Sequence, residues 1–547
     1  MDGPLLVIDR DDTRPLGRQL VEGLRRGILT GALQPGDPVP STRALAAELG
    51  VSRSSIVAAY DQLAGEGYLE SRQGAPTTVA ELEARPVEAV TARIDPVDPA
   101  DPSDPAGLAG LAATDPTART RPVGDGAGER RHAAGAPARH PIADLQPGTP
   151  STARLDARAW RAAWRAATTA SAGEPVPPFS PPGFGVPALR AELADHLRLA
   201  RGIACTADDV VVTAGTGEAL ALLAAALTEI GPAGHASGQA TEYTTGHPAH
   251  RSAGEEPRRP RVAIEDPGYP SARRTLERRG IRTVPVRVGR DGLDLAALRA
   301  TPGPFDAVMV TPSHQYPLGG RLPVADRLAL LDWAGDHDAI VIEDDYDSEY
   351  RHTGAPLPAL ASLDTGRGLG RTVLVGSFSK MLTPWIRLGW MVLPDHPALR
   401  AAVADVRRDE HSPVPGPVQQ AMAEFLASGA LRRHIAASRR DYGHRRALVA
   451  DALGGLPGAP LTALDGGLHA VLELPDEASA RAVVAGLAAD GVDVAPLSYY
   501  AASDPPAHHG LVIGYAHATD TGLADALARI RAEVRRIVDT GAPPALG

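Results

Sequence analysis

A chain of 547 residues is too long for one ordinary domain, and 43% hydrophobic residues can fill a large core. The formal charge of −11 argues against a protein that coats nucleic acid or membranes without specificity, and a lone cysteine, Cys205, excludes an internal disulfide framework and a cysteine-rich metal site. The first residues, MDGPLLVIDRDD, do not read as a signal peptide, and the longest apolar run, 219–227, falls far short of the roughly 20 residues of a membrane helix, so a cytosolic protein with no membrane partner is expected.

Residues 10–80 carry helical periodicity. Leu16, Leu20, Leu24 and Ile28 recur at helical spacing, with Gly31 as a stop. Pro40 and Ser41 open a second helix, TRALAAELG, that ends at Gly50. Ser52 caps a third, RSSIVAAYDQLAGEG, with Ile56, Val57, Tyr60 and Leu63 expected on its buried face. Two short extended pieces, 68–71 and 77–79, flank Arg72-Gln73-Gly74. Three helices and a hairpin make a winged helix-turn-helix. In that motif the helix after the turn enters the major groove. Ser52, Arg53, Ser54 and Ser55 at its start are therefore placed for DNA, Ser41 and Arg43 for the backbone, and Arg72 for the minor groove or phosphates. Residues 1–80 hold eight arginines against ten acidic residues, so directed arginines and a paired operator must supply the affinity.

From 81 to 140 the composition changes to Pro, Ala, Asp and Gly (DPVDPADPSDP), which predicts a flexible linker. Residues 141–540 alternate helical segments with compact apolar runs at 210–212, 262–264, 308–310, 340–342 and 373–375, interrupted by a surface insertion at about 231–259. Continuous apolar runs suit strands buried on both faces, hence a mostly parallel α/β sheet. Ligands of such sheets gather beyond the C-terminal ends of the strands.

Those ends carry Thr216 and Gly217 before a helix, EDPGYP with Tyr269, TPSHQYPLG, EDDYDSE, and GSFSKMLTPWIRLG. The last contains the only lysine of the chain, Lys380, between Ser377, Ser379 and Arg387, in a sequence with no asparagine at all. Arginine can replace lysine as a cation but not as a nucleophilic amine, since a guanidinium keeps its proton. An amine, an acid, an aromatic ring and two anion-binding elements thus converge on one sheet edge.

The order of these pieces resembles the fold-type I pyridoxal 5′-phosphate enzymes of the aspartate aminotransferase group. SFSK with RLG, TPSHQYPLG and EDDYDSE, together with PVPSTRALAAELGVSRSSIVAAYDQLAGEGYLES, resemble one branch, the MocR/GabR-like regulators that join a GntR-type winged helix to an aminotransferase-like domain. The resemblance implies that Lys380 holds pyridoxal 5′-phosphate as a Schiff base. It further implies that Asp344, with Asp345 as the alternative, pairs with the ring nitrogen, that Tyr346 meets the ring hydroxyl and that Tyr269 stacks on the ring. Thr216, Gly217, Ser377, Ser379 and Arg387 are the candidates for its phosphate. A homodimer is implied as well.

Three positions depart from the enzymes. Tyr316 stands where they place asparagine, Gly217 where they place glutamine, and Val512 where an arginine clamps the substrate carboxylate. Gly74-Ala75-Pro76 likewise breaks the Gly-x-Gly of GntR-like wings. The expected function is a regulator that binds a double-stranded operator and senses pyridoxal phosphate or an amine or amino-acid ligand, with control of vitamin B6 or amino-acid metabolism. A pyridoxal-phosphate aminotransferase with a vestigial winged helix, and a repressor with an inert scaffold domain, are the other readings.

Overall fold

The computed structural model describes residues 36–65, 69–70, 77–79, 143–173, 181–234, 259–353 and 357–540, with a few positions before residue 36. Leu16, Arg72, the stretch 81–140 and most of the segment 231–259 lie outside the described residues.

Helix α1 (Thr42–Leu49) starts where Ser41 accepts the Ala44 N–H at 3.2 Å, and it stops at Gly50, whose φ of 63° is left-handed. Ser52 Oγ then accepts the Ser55 N–H at 3.1 Å and opens α2 (Arg53–Gly65). Ile56, Ala59, Tyr60 and Leu63 form the buried face of α2. Val57 does not belong to it. One residue on from Ile56, it is turned about 100° around the helix and is 37% exposed. Tyr60 Oη donates to Pro40 O at 2.7 Å, which ties α2 to the entry of α1. Strands β1 (Leu69–Glu70) and β2 (Thr78–Val79) pair antiparallel and complete a helix-turn-helix with a short wing.

The larger part begins at β3 (Ala143–Asp144). Its main sheet comprises β4 (Val210–Thr213), β5 (Arg261–Asp266), β6 (Arg282–Gly289), β7 (Gly292–Leu293), β8 (Ala307–Val310), β9 (Ile340–Asp345), β10 (Thr372–Ser377) and β11 (Gly389–Val392). The order is β4-β11-β10-β9-β8-β5-β6-β7. Pairings from β10 to β6 are parallel, whereas β11 runs against both β10 and β4. All five apolar runs are strands, and β4, β8 and β10 are buried throughout. The sequence reading did not include β6, whose burial alternates along its length, or the short reversed β11.

A smaller antiparallel sheet holds β12 (Leu461–Thr462) and β13 (His469–Glu473). Beside them, β14 (Val492–Asp493) pairs with β3, while β15 (Ala495–Pro496) and β16 (Gly510–Gly514) complete the small sheet. The register of the main sheet sets Ser377 opposite Gly389 and Gly389 opposite Thr213. A Cβ on Gly389 would stand 2.7 Å from Gly376 O and 2.8 Å from Gly215 Cα, so only glycine lets the turn after β4 close against the end of β10. Among the described residues no helix is long and apolar enough to cross a membrane.

Candidate functional site

Strand β9 ends in three consecutive acids, and their surroundings differ. Glu343 is fully buried and accepts the Leu360 and Ala361 N–H groups at 3.0 and 2.9 Å, capping a helix start. Asp345, on the same side of the strand, pairs with Arg201 at 2.8 Å. Asp344 lies between them and points to the other face. It is 4% exposed, and its Oδ1 is buried without a hydrogen-bond partner. Burial first, then the charge of Asp345, pushes its carboxyl up to about 7. Among these acids, the one with unmet capacity for a buried proton donor is Asp344. That chemistry fits a pyridine nitrogen bearing a proton.

Lys380 sits in the short helix Phe378–Met381 that follows β10. Its Nζ donates to Gly148 O at 2.6 Å, and a Cβ on Gly148 would stand 2.5 Å from Nζ. Gly148, whose φ is 92°, was not a sequence candidate; nothing in QPGTP signals a partner so distant in the chain. Burial lowers the pKa of the Lys380 amine, opposed by Asp347 and Asp344. A lowered amine pKa favours the neutral nucleophile.

The anion-binding candidates meet at the closed turn. A Cβ on Gly215, whose φ is 90°, would stand 3.9 Å from Ser377 Oγ, and the helix Thr216–Gly234 starts immediately after this glycine. Ser377 Oγ accepts the Ser379 N–H at 3.1 Å and donates to Ser379 Oγ at 2.8 Å, so the two hydroxyls stand together. Gly217 is exposed, and Arg387 is an exposed residue with left-handed φ of 48° that ends a short turn. Helix-start N–H groups, paired hydroxyls and a guanidinium form a set that could hold a phosphate.

The aromatic residues form a continuous group. Tyr269 packs edge-on to Tyr316 with ring centres 6.2 Å apart, and Tyr316 packs edge-on to Tyr346 and Tyr500 at 5.5 and 5.2 Å. Both Asp344 and Arg387 act electrostatically on the Tyr269 hydroxyl, which places the acid, the ring and the guanidinium in one neighbourhood. Tyr346 Oη donates to His314 O at 3.0 Å and lies 3.0 Å from His314 Nδ1, which is itself 2.9 Å from Asp347 Oδ2. His314, Asp347 and His469 offer ligand atoms within 4.8 Å of one another, a spacing that a metal ion could use. Asp347 is already bonded to His314, and His469 Nε2 lies 2.9 Å from Pro317 O, so internal hydrogen bonds satisfy much of this set. Burial and His314 push His469 down to about 4, leaving it neutral at ordinary pH. In the sequence His314 and Asp347 lie within TPSHQYPLG and EDDYDSE, where no spacing marks them out from their neighbours.

Val512 is fully buried in β16, opposite Val471 and Ala495, and belongs to an apolar cluster that Tyr316, Leu318 and Tyr499 pack against. Apolar side chains therefore surround Val512.

In the winged helix the hydroxyls of Ser41, Ser52 and Ser55 take part in capping, with Ser52 and Ser55 Oγ atoms 2.8 Å apart. Arg43 and Arg53 are exposed, and Arg53 Nε donates to Thr42 Oγ1 at 3.4 Å. Ser54 lies in α2, and exposed Val57 is one helical turn on from Arg53.

Residues 16–79 match the family model of bacterial regulatory proteins of the gntR family, and residues 148–530 match that of aminotransferase class I and II. The HTH-type pyridoxine biosynthesis transcriptional regulator PdxR of Corynebacterium glutamicum is 38% identical over 94% of this chain and 95% of its own length. The probable rhizopine catabolism regulatory protein MocR of Rhizobium meliloti is 32% identical over 99% of this chain and 98% of its own. LysN, the alpha-aminoadipate aminotransferase of Thermus thermophilus, shares the fold with a TM-score of 0.61 at 22% identity, over 73% of this chain and 93% of that one. Fold and matches together define a DNA-binding regulator that carries a domain of a fold whose enzymes use pyridoxal phosphate. The chain belongs to the MocR/GabR-like family of transcriptional regulators.

Proposed function

We propose that this regulator binds pyridoxal 5′-phosphate at Lys380 and changes its hold on an operator when the cofactor is bound. The observation that carries the reading is the buried, unpartnered Oδ1 of Asp344 on the strand beside the one that leads to the only lysine. When bound, the cofactor supplies an aldehyde for an amine and a ring that withdraws electrons. Asp344 holds the proton on the ring nitrogen, and Tyr346, fixed by His314, stands at the ring hydroxyl. Tyr269 covers the ring. Gly215, Thr216, Gly217, Ser377, Ser379 and Arg387 cradle the phosphate.

Val512 favours sensing over turnover. An α-carboxylate brought against these apolar side chains finds no bidentate guanidinium there to orient it. The name of the Corynebacterium relative points to vitamin B6 supply as the controlled process. A homodimer that presents two winged helices to a paired operator supplies affinity that one acidic copy lacks.

Fluorescence anisotropy on DNA from the region upstream of the coding sequence tests this reading, with and without pyridoxal phosphate. An affinity change of about tenfold is expected, within the usual range of coupling between sites. Equal affinity in both titrations would reject cofactor sensing, and repeated turnover of an amino donor with a 2-oxo acid would return the chain to the enzymes. In the same assay Arg53→Ala is expected to cost about 1–3 kcal/mol of operator affinity, and unchanged binding would remove α2 from the groove.

A further inference from the structure

A cavity of about 450 Å³ opens between the helix Pro187–Arg201, the turn after β9 and the helix Ala430–Leu453. Its lining includes Arg201, Arg351, Arg432 and Arg439, with Glu349 and the neutral His196. Four guanidinium groups thus line one cavity beside Glu349, with Asp345 paired to Arg201 at 2.8 Å and Arg439 Nε donating to Glu349 O at 2.8 Å. Burial and Asp345 push the Glu349 carboxyl up to about 7, so near neutral pH it offers these cations less than a full charge. The cations are also crowded: burial and the neighbouring Arg321 and Arg201 push Arg351 down to about 9. A bound anion would relieve that cost.

Two buried polar atoms without partners show what the cavity lacks. The Arg201 side chain is 6% exposed and gives one end to Asp345 at 2.8 Å and to Ser313 Oγ at 3.2 Å, while its Nε has no hydrogen-bond partner. His196 is 5% exposed, and burial and Arg432 push its imidazole down to about 4, so it is a neutral ring whose Nε2, 4.0 Å from Glu349 Oε1 and without a hydrogen-bond partner, is free to donate to or accept from a ligand. Buried polar atoms without partners are costly, and a ligand rich in acceptor oxygens satisfies them. At the rim, Arg432 and Arg439 are exposed on one helix, two turns apart and so on the same face.

We infer that this cavity is a second ligand site, which takes a small molecule bearing phosphate or carboxylate oxygens. Guanidinium groups at the base and the rim give such a ligand two points of attachment. The site goes beyond cofactor sensing, for its lining includes none of the residues assigned to the cofactor. The two nevertheless adjoin along β9, since Arg201 pairs with Asp345, the residue next to Asp344. A ligand that draws on Arg201 therefore changes the field at Asp344, which gives a second input to the same regulator.

Isothermal titration calorimetry of the full-length protein tests the site. The protein is loaded beforehand with one equivalent of pyridoxal phosphate and titrated at constant ionic strength with inorganic phosphate and, separately, with succinate. One equivalent of at least one probe is expected to bind per chain. The double variant Arg432→Gln/Arg439→Gln should lose at least about tenfold in affinity while its melting without probe stays as in the native protein. Arg432→Gln/Arg439→Gln should weaken probe binding by the same factor in a Lys380→Ala background, which separates this site from the cofactor reading. Phosphate alone binding assigns a phosphate ester, and succinate alone a dicarboxylate. No binding of either probe at millimolar concentration, or native affinity in the double variant, overturns the inference.

Discussion

Lys380→Ala is expected to abolish attachment of pyridoxal phosphate while leaving the protein folded. In the native protein, incubation with the cofactor and reduction with borohydride should add the mass of one cofactor to the peptide containing residue 380. The chain has a single ε-amine, so the outcome is unusually clean. The variant should acquire no such mass and should lack the visible absorbance of the loaded native protein. Lys380→Arg should behave in the same way, because a guanidinium is never the free amine that an aldehyde needs. The loss of the 2.6 Å hydrogen bond to Gly148 O should cost only about 1 kcal/mol. A native protein that takes up no mass on residue 380 would refute the proposed cofactor site.

Asp344→Asn should separate stability from function. The carboxyl ionises near 3.8 when exposed and is pushed up to about 7 in the folded protein. Between these values the folded state holds a proton that the unfolded state has released, so stability falls as pH rises through that window and is level above it. The full gap is worth about 4 kcal/mol at most. Without cofactor, the neutral amide should therefore make the protein more stable by about 2–4 kcal/mol at pH 8, and about equally stable near pH 4. With cofactor the order should reverse in part, because the ring nitrogen's proton partners the carboxylate and the amide loses that charge-assisted bond. Thermal unfolding at the two pH values, with and without pyridoxal phosphate, measures all four quantities. A variant less stable than native at pH 8 without cofactor would show that Asp344 is not held as a strained acid.

Much of this was legible in the sequence for one physical reason: strands buried on both faces are written as continuous apolar runs. The five runs placed the sheet edge, and the edge gathered Lys380, Asp344 and Tyr269. Strand β6 was not legible that way, since its exposed and buried residues alternate. Spacing leaves Asp344 and Asp345 as alternatives, because it does not reveal that Arg201, 144 residues away, pairs with the second acid. Gly148 was hidden for the same reason: its contribution is a backbone carbonyl, which leaves no trace in residue type. Val57 was misplaced by one position because an apolar side chain beside a buried face looks like part of it, and only exposure separates them.

The hydrogen bond from Lys380 to Gly148 also has a mechanical side. Gly148 lies eight residues beyond the stretch 81–140, just after β3, which is stitched to β14 near the far end of the chain. A free ammonium has three hydrogens to give, whereas a lysine nitrogen joined to an aldehyde carbon keeps at most one. A Schiff base formed at Lys380, as proposed, would therefore loosen this contact beside β3.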